Sequence, residues 1–77
     1  MNVLIIDNSV DTGEILSLCF GMRWPNSVIN RAETGEEGIQ LVKEAEPDLV
    51  ILETILPDMD GYEVCRSLRS FSNVLIF

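Results

Sequence analysis

The chain has 77 residues, 47% hydrophobic and 23% charged, which suits one globular domain and excludes a disordered or fibrous segment. Thirteen Asp and Glu against five Lys and Arg give a net charge of −8, the wrong sign for gripping a phosphate backbone, so no direct nucleic-acid contact is expected. With no apolar run near the ~20 residues of a membrane span, no basic leader, and two cysteines but no histidine, a membrane protein, a secreted protein and a zinc site are all disfavoured, and a cytoplasmic chain is expected.

Residues 2–6, "NVLII", form a short continuous apolar run that stops at Asp7, the pattern of a strand covered on both faces. Ser9 is placed to cap a helix whose apolar positions Val10, Ile15, Leu16, Cys19 and Phe20 make a wide stripe. Gly21 and Pro25 in "GMRWPN" end it, with Trp24 expected to tuck against the sheet and Met22, like Met59, to fill the edge of the core. A second strand is predicted over 27–32. "TGEE" at 34–37 has the spacing of a capping box, opening a helix with Ile39, Leu41, Val42 and Ala45 inward and Lys43 and Glu44 outward. Pro47 closes that helix and 48–52, "DLVIL", is the clearest strand of the chain. The loop "ETILPDMD" leads through Gly61 into a third helix with Val64, Cys65, Leu68 and Phe71 on one face. There Asp58, Asp60 and Glu63 are expected to support the loop and the helix start, and Arg66 and Arg69 to lie on the solvated side. Residues 72–77, "SNVLIF", read as a fourth strand, and both cysteines read as buried free thiols.

The order β-α-β-α-β-α-β predicts an α/β fold with a parallel sheet and helices on both faces. In the flavodoxin-like strand order, 2-1-3-4 for the four strands present, the first and third strands are neighbours, and ligands bind at their carboxyl ends. Asp7 and Glu53 end those strands, so two acids distant in sequence should meet at the switch point. Paired carboxylates repel unless one protonates or a cation sits between them. Magnesium, which needs only one or two carboxylates and keeps its waters, is the natural cation, with Asn8 offering a neutral oxygen. The alternative is that Asp7 and Glu53 are solvated strand-end residues or helix caps.

"VLIIDN", "AETGEEGIQLV" and above all "PDLVILETILPDMDGYEVCRSLR" resemble the receiver domain of bacterial two-component response regulators, along the whole chain. The resemblance implies a CheY-like fold with a magnesium-dependent site that accepts a phosphoryl group from a histidine kinase. Position by position, Asp7 matches one metal-binding acid, Asn8 stands where a second acid is usual, and Glu53 stands at the phosphoacceptor position. The backbone carbonyl of Ile55 matches the main-chain metal ligand, and Pro57 and Gly61 match the turn before the third helix. Glutamate places its carboxylate one methylene further out, and misplacement by ~1 Å can cost about a hundredfold where positioning carries the catalysis. It also puts one charge near a phosphoryl oxygen's place, a weak imitation of the nearly two charges of a phosphoryl group.

The family's hydroxyl after the fourth strand and lysine ending the fifth have no counterpart in this sequence, so residues 1–77 read as a C-terminally truncated receiver domain lacking the stabilisers of the transition state. The expected role is therefore non-enzymatic. It is a degenerate or phospho-mimic receiver, binding Mg2+ weakly through Asp7, Asn8, Glu53 and the Ile55 carbonyl. It would act as a homodimer through Val74, Leu75, Ile76, Phe77 and the bare sheet face, and would engage a histidine kinase or an output protein. Three alternatives stand beside it: a phosphoacceptor completed by a partner chain, a fragment of a full response regulator with no function of its own, and a small metal-binding protein.

Overall fold

The computed structural model describes all 77 residues. In chain order the elements are β1 (Asn2–Ile6), α1 (Val10–Arg23), β2 (Val28–Ala32), α2 (Gly35–Ala45), β3 (Leu49–Leu52), α3 (Gly61–Arg69) and β4 (Leu75–Ile76). The four strands form one parallel sheet in the order β2-β1-β3-β4. β1 and β3 are the two inner strands, and on β1 Ile6 is in register with Ala32 on one side and Leu52 on the other.

Alternation along β1 divides the core. Leu4 and Ile6 face one side with Ala32 and Val50, and are covered by Val42 of α2 and by Val64 and Leu68 of α3. Val3 and Ile5 face the other side with Leu49, and are covered only by Leu16 and Phe20 of α1. The helices start where the sequence offers caps. The Ser9, Thr34 and Asp60 side chains accept from the N–H groups of Thr12, Glu37 and Glu63 respectively. The Thr34 box is offset by one residue, because Glu37 Oε1 accepts from the Glu33 N–H rather than from that of Thr34 itself. α2 closes on Glu46 in the left-handed region (φ 46°), whose N–H reaches back to Val42 O, and Pro47 prevents continuation.

Several expectations need correction. On α1 only Leu16 and Phe20 pack inward, while Val10, Ile15 and Cys19 are exposed, with Leu18 and Met22 beside them. The buried edge of this helix is instead Gly13, against which the Arg31 guanidinium lies; a side chain there would collide with it. Cys19 is therefore an exposed thiol and Cys65 a half-buried one, both free. Trp24 does not tuck under the sheet: it stacks on Phe20 (centroids 5.4 Å apart) with the Arg23 guanidinium over it at 5.0 Å. α3 ends at Arg69, so Phe71 falls beyond its buried face and is exposed, with the Lys43 ammonium over its ring at 5.2 Å. β4 is shorter than its apolar run. Val74 and Ile76 pack against the core, whereas Leu75 and Phe77 are 58% and 73% exposed at the sheet edge.

Candidate functional site

The carboxyl ends of β1 and β3 carry the site. Asp7 and Glu53 directly follow the paired residues Ile6 and Leu52, and the ladder continues past them: the Glu53 N–H donates to Ile6 O (2.9 Å), and the Asp7 N–H to Ala32 O (2.9 Å). The two acids thus stand on adjacent strand ends, as the topology requires. Asp7 is only 4% exposed. Its Oδ1 accepts from the Ser9 N–H at 2.7 Å, a tight turn that holds the β1–α1 connection and leaves Asn8 exposed at its tip. Glu53 is half-buried, and its Oε1 accepts from the Thr54 N–H at 3.0 Å, so the side chain folds back on its own backbone.

The loop after β3 is fixed at both ends. Ile55 and Asp60 bridge antiparallel, and the Gly61 N–H donates to Thr54 O at 2.6 Å. The chain passes so close there that a Cβ on Gly61 would lie 2.7 Å from Glu53 O and 3.1 Å from Thr54 Cα, which only glycine avoids. Between the anchors Leu56 is buried in the core, while the Ile55 side chain is exposed and its carbonyl takes no backbone hydrogen bond. Beside Glu53 a cavity of about 270 Å³ opens toward the sheet edge, lined by Leu52, Thr54, Tyr62, Cys65, Ile76 and Phe77 among others.

These donors fit a hard cation better than a soft one. No three acid, Cys or His side chains converge anywhere in the molecule. Two carboxylates, each with one oxygen already engaged, and one free carbonyl match the small protein share that Mg2+ requires. No Lys or Arg bonds to either carboxylate, whose partners are backbone N–H groups: the only lysine, Lys43, rests over Phe71, and Arg31 donates from Nη2 to Ser9 O (3.4 Å).

The reach of Asp58 is longer than its sequence neighbourhood suggests. The main partners of Asp58 lie outside its own loop and outside α3. Its two oxygens accept from the Gly35 and Glu36 N–H groups at 2.8 and 2.9 Å, across to the first turn of α2. The bonds from Glu36, then Gly35, hold its carboxyl below the ordinary 3.8. A carboxylate after a proline in a turn looks local, and only the fold reveals its distant partner.

The comparisons with known proteins agree with this geometry. Residues 3–77 match the family described as Response regulator receiver domain. The transcriptional regulatory protein CusR of Escherichia coli is 36% identical over 70 residues, covering 91% of this chain and 30% of that protein. The DNA-binding response regulator MtrA of Mycobacterium tuberculosis is 36% identical over 75 residues, covering 96% and 32%. This chain therefore spans about a third of these relatives. The BeF3-activated receiver domain of Klebsiella pneumoniae RstA superposes with a TM-score of 0.90 at 22% identity, over 99% of this chain and 63% of that one; at this identity it speaks for the fold alone. Receiver domains are signalling modules rather than enzymes, and they generally bind Mg2+ at the phosphorylation site. By sequence match over residues 3–77 and by sheet order, this chain belongs to the response regulator receiver domain family.

Proposed function

We propose that residues 1–77 form one receiver unit of two-component signalling that works by association, with Glu53 as a standing negative charge and no phosphoryl transfer. The observation that carries this reading is Glu53 at the mouth of β3, beside the buried Asp7, with its carboxylate turned onto its own Thr54 N–H. In phosphoryl transfer the protein contributes mainly in-line positioning and charge stabilisation. Glutamate changes the first, and for the second neither Asp7 nor Glu53 takes a bond from a basic side chain of residues 1–77. Asp7, Asn8, Glu53 and the Ile55 carbonyl would hold Mg2+ weakly, and the ion would there screen the paired carboxylates.

The association surface is the β4 edge. Val74 and Ile76 are spent on the chain's own core, so Leu75, Phe77 and the backbone edge are what a second copy would meet across a twofold axis. A cytoplasmic setting belongs to this proposal, and no helix is long and apolar enough to cross a membrane. A histidine kinase or an output protein is the proposed partner in the pathway.

A second reading has its own support. The matched solved receiver and the curated relatives extend well beyond the part that this chain covers, so Glu53 can belong to a longer receiver whose further residues complete the site. Incubation with a small acyl phosphate and Mg2+, followed by intact mass, tests the first reading. The first reading expects no adduct on the wild type and little on Glu53→Asp. An adduct on the wild type overturns it.

A further inference from the structure

The first turn of α2 is closed by two different parts of the chain. Thr34 Oγ1 takes the Glu37 N–H at 3.1 Å, the ordinary local cap. The two amides before it, Gly35 and Glu36, have no local partner, and both go to the carboxylate of Asp58, 22 and 23 residues further on. Both Asp58 oxygens are used, and the negative charge sits at the positive end of the helix, so these are strong, directed bonds. The same loop interlocks with α2 a second time: Met59 packs against Gly35 so closely that a Cβ there would come within 2.5 Å of its side chain. At its ends the loop is pinned to the site itself, by the Ile55–Asp60 bridge and by the Gly61 N–H on Thr54 O.

We infer that Asp58 is a positioning residue that fastens the loop carrying the Ile55 carbonyl to the start of α2, so that helix and loop move as one body. A displacement of either is felt by the other. The position of the Ile55 carbonyl is then set from α2 as well as from β3. The consequence for metal affinity rests on the proposed use of that carbonyl, whereas the coupling itself does not.

The test compares Asp58→Ala with Thr34→Ala in ¹⁵N-labelled protein, by amide exchange and by Mg2+ titration. Each variant removes a cap on the same helix turn, but only one of the caps reaches the loop. In Asp58→Ala, exchange at Gly35 and Glu36 should rise about tenfold, the worth of a typical cap. The amides of Ile55, Leu56 and Gly61 should lose protection with them, and Mg2+ should bind about tenfold more weakly. Thr34→Ala should free Glu37 and leave the loop amides unchanged. Should Asp58→Ala fail to fold, Asp58→Asn, which keeps one acceptor oxygen, carries the same comparison with an intermediate effect. Loop amides that stay protected when Gly35 and Glu36 are freed would overturn the inference. So would equal loosening of the loop by both variants, which would mean only lost global stability. A wild type whose Glu53 and Ile55 signals ignore Mg2+ defeats the metal reading instead, and leaves the exchange comparison intact.

Discussion

Gly61→Ala perturbs the point where α3 leaves the site loop, and the structure gives the terms of its cost. The new methyl carbon would sit 2.7 Å from Glu53 O and 3.1 Å from Thr54 Cα, both backbone atoms that cannot rotate away. Relief requires α3 to back away from the end of β3 by about half an ångström, an overpacking cost of ~1–3 kcal/mol. That movement stretches the Gly61 N–H bond to Thr54 O, now 2.6 Å, at about 0.5–1.5 kcal/mol. Reduced freedom of the unfolded chain returns some 0.4–1 kcal/mol, because Gly61 does not have positive φ and alanine can adopt its backbone conformation. The net expectation is a loss of ~2 kcal/mol, or roughly 8–16 °C in Tm for a domain of this size. Gly21→Ala is the control: a Cβ there meets nothing within 4 Å, so helix propensity should raise stability by about 0.5–1 kcal/mol. Thermal and urea denaturation followed by circular dichroism measure both. A Gly61→Ala protein as stable as the wild type would refute the close-approach reasoning.

Leu68→Ala removes a fully buried side chain from the α2–α3 side of the core and should cost ~2–5 kcal/mol, read as a fall in urea midpoint. Met22→Lys, on the exposed side of α1, should change stability by no more than about 0.5 kcal/mol in the same assay. Asp58 should leave a mark on acid stability. Its folded-state pKa lies below the ordinary 3.8, so its contribution is fully present above that value and is lost as pH falls through the folded pKa. The urea midpoint of the wild type should therefore drop below about pH 4 by a step that Asp58→Asn lacks. A thiol reagent should label Cys19 well before Cys65, as followed by mass.

The parallel order and the placement of Asp7 and Glu53 on adjoining strand ends were legible because β-branched runs and helix caps punctuate this chain clearly, and parallel topology then dictates which strand ends adjoin. The orientation of α1 was not. That helix has apolar residues on two overlapping stripes, Leu16 with Phe20 and Ile15 with Leu18 and Met22, and the 3.6-residue period alone does not say which one meets the sheet. The choice is made by Gly13 and Arg31, because the helix must turn its bare glycine toward the guanidinium of β2. Asp58 escaped for a related reason: its partners lie 22 and 23 residues away, and local spacing suggested its own loop instead. Phe71 followed the period of α3 but lies past its end, where the Ser72 N–H turns back to Leu68 O and directs the chain into β4.

The solution mass of the purified chain, measured by light scattering across a dilution series at low and high salt, tests the association reading most directly. Copies of charge −8 repel, and apolar contact through Leu75 and Phe77 must overcome that repulsion. The expected result is twice the chain mass, held to lower concentration as salt rises. A folded monomer at every concentration and salt would contradict it.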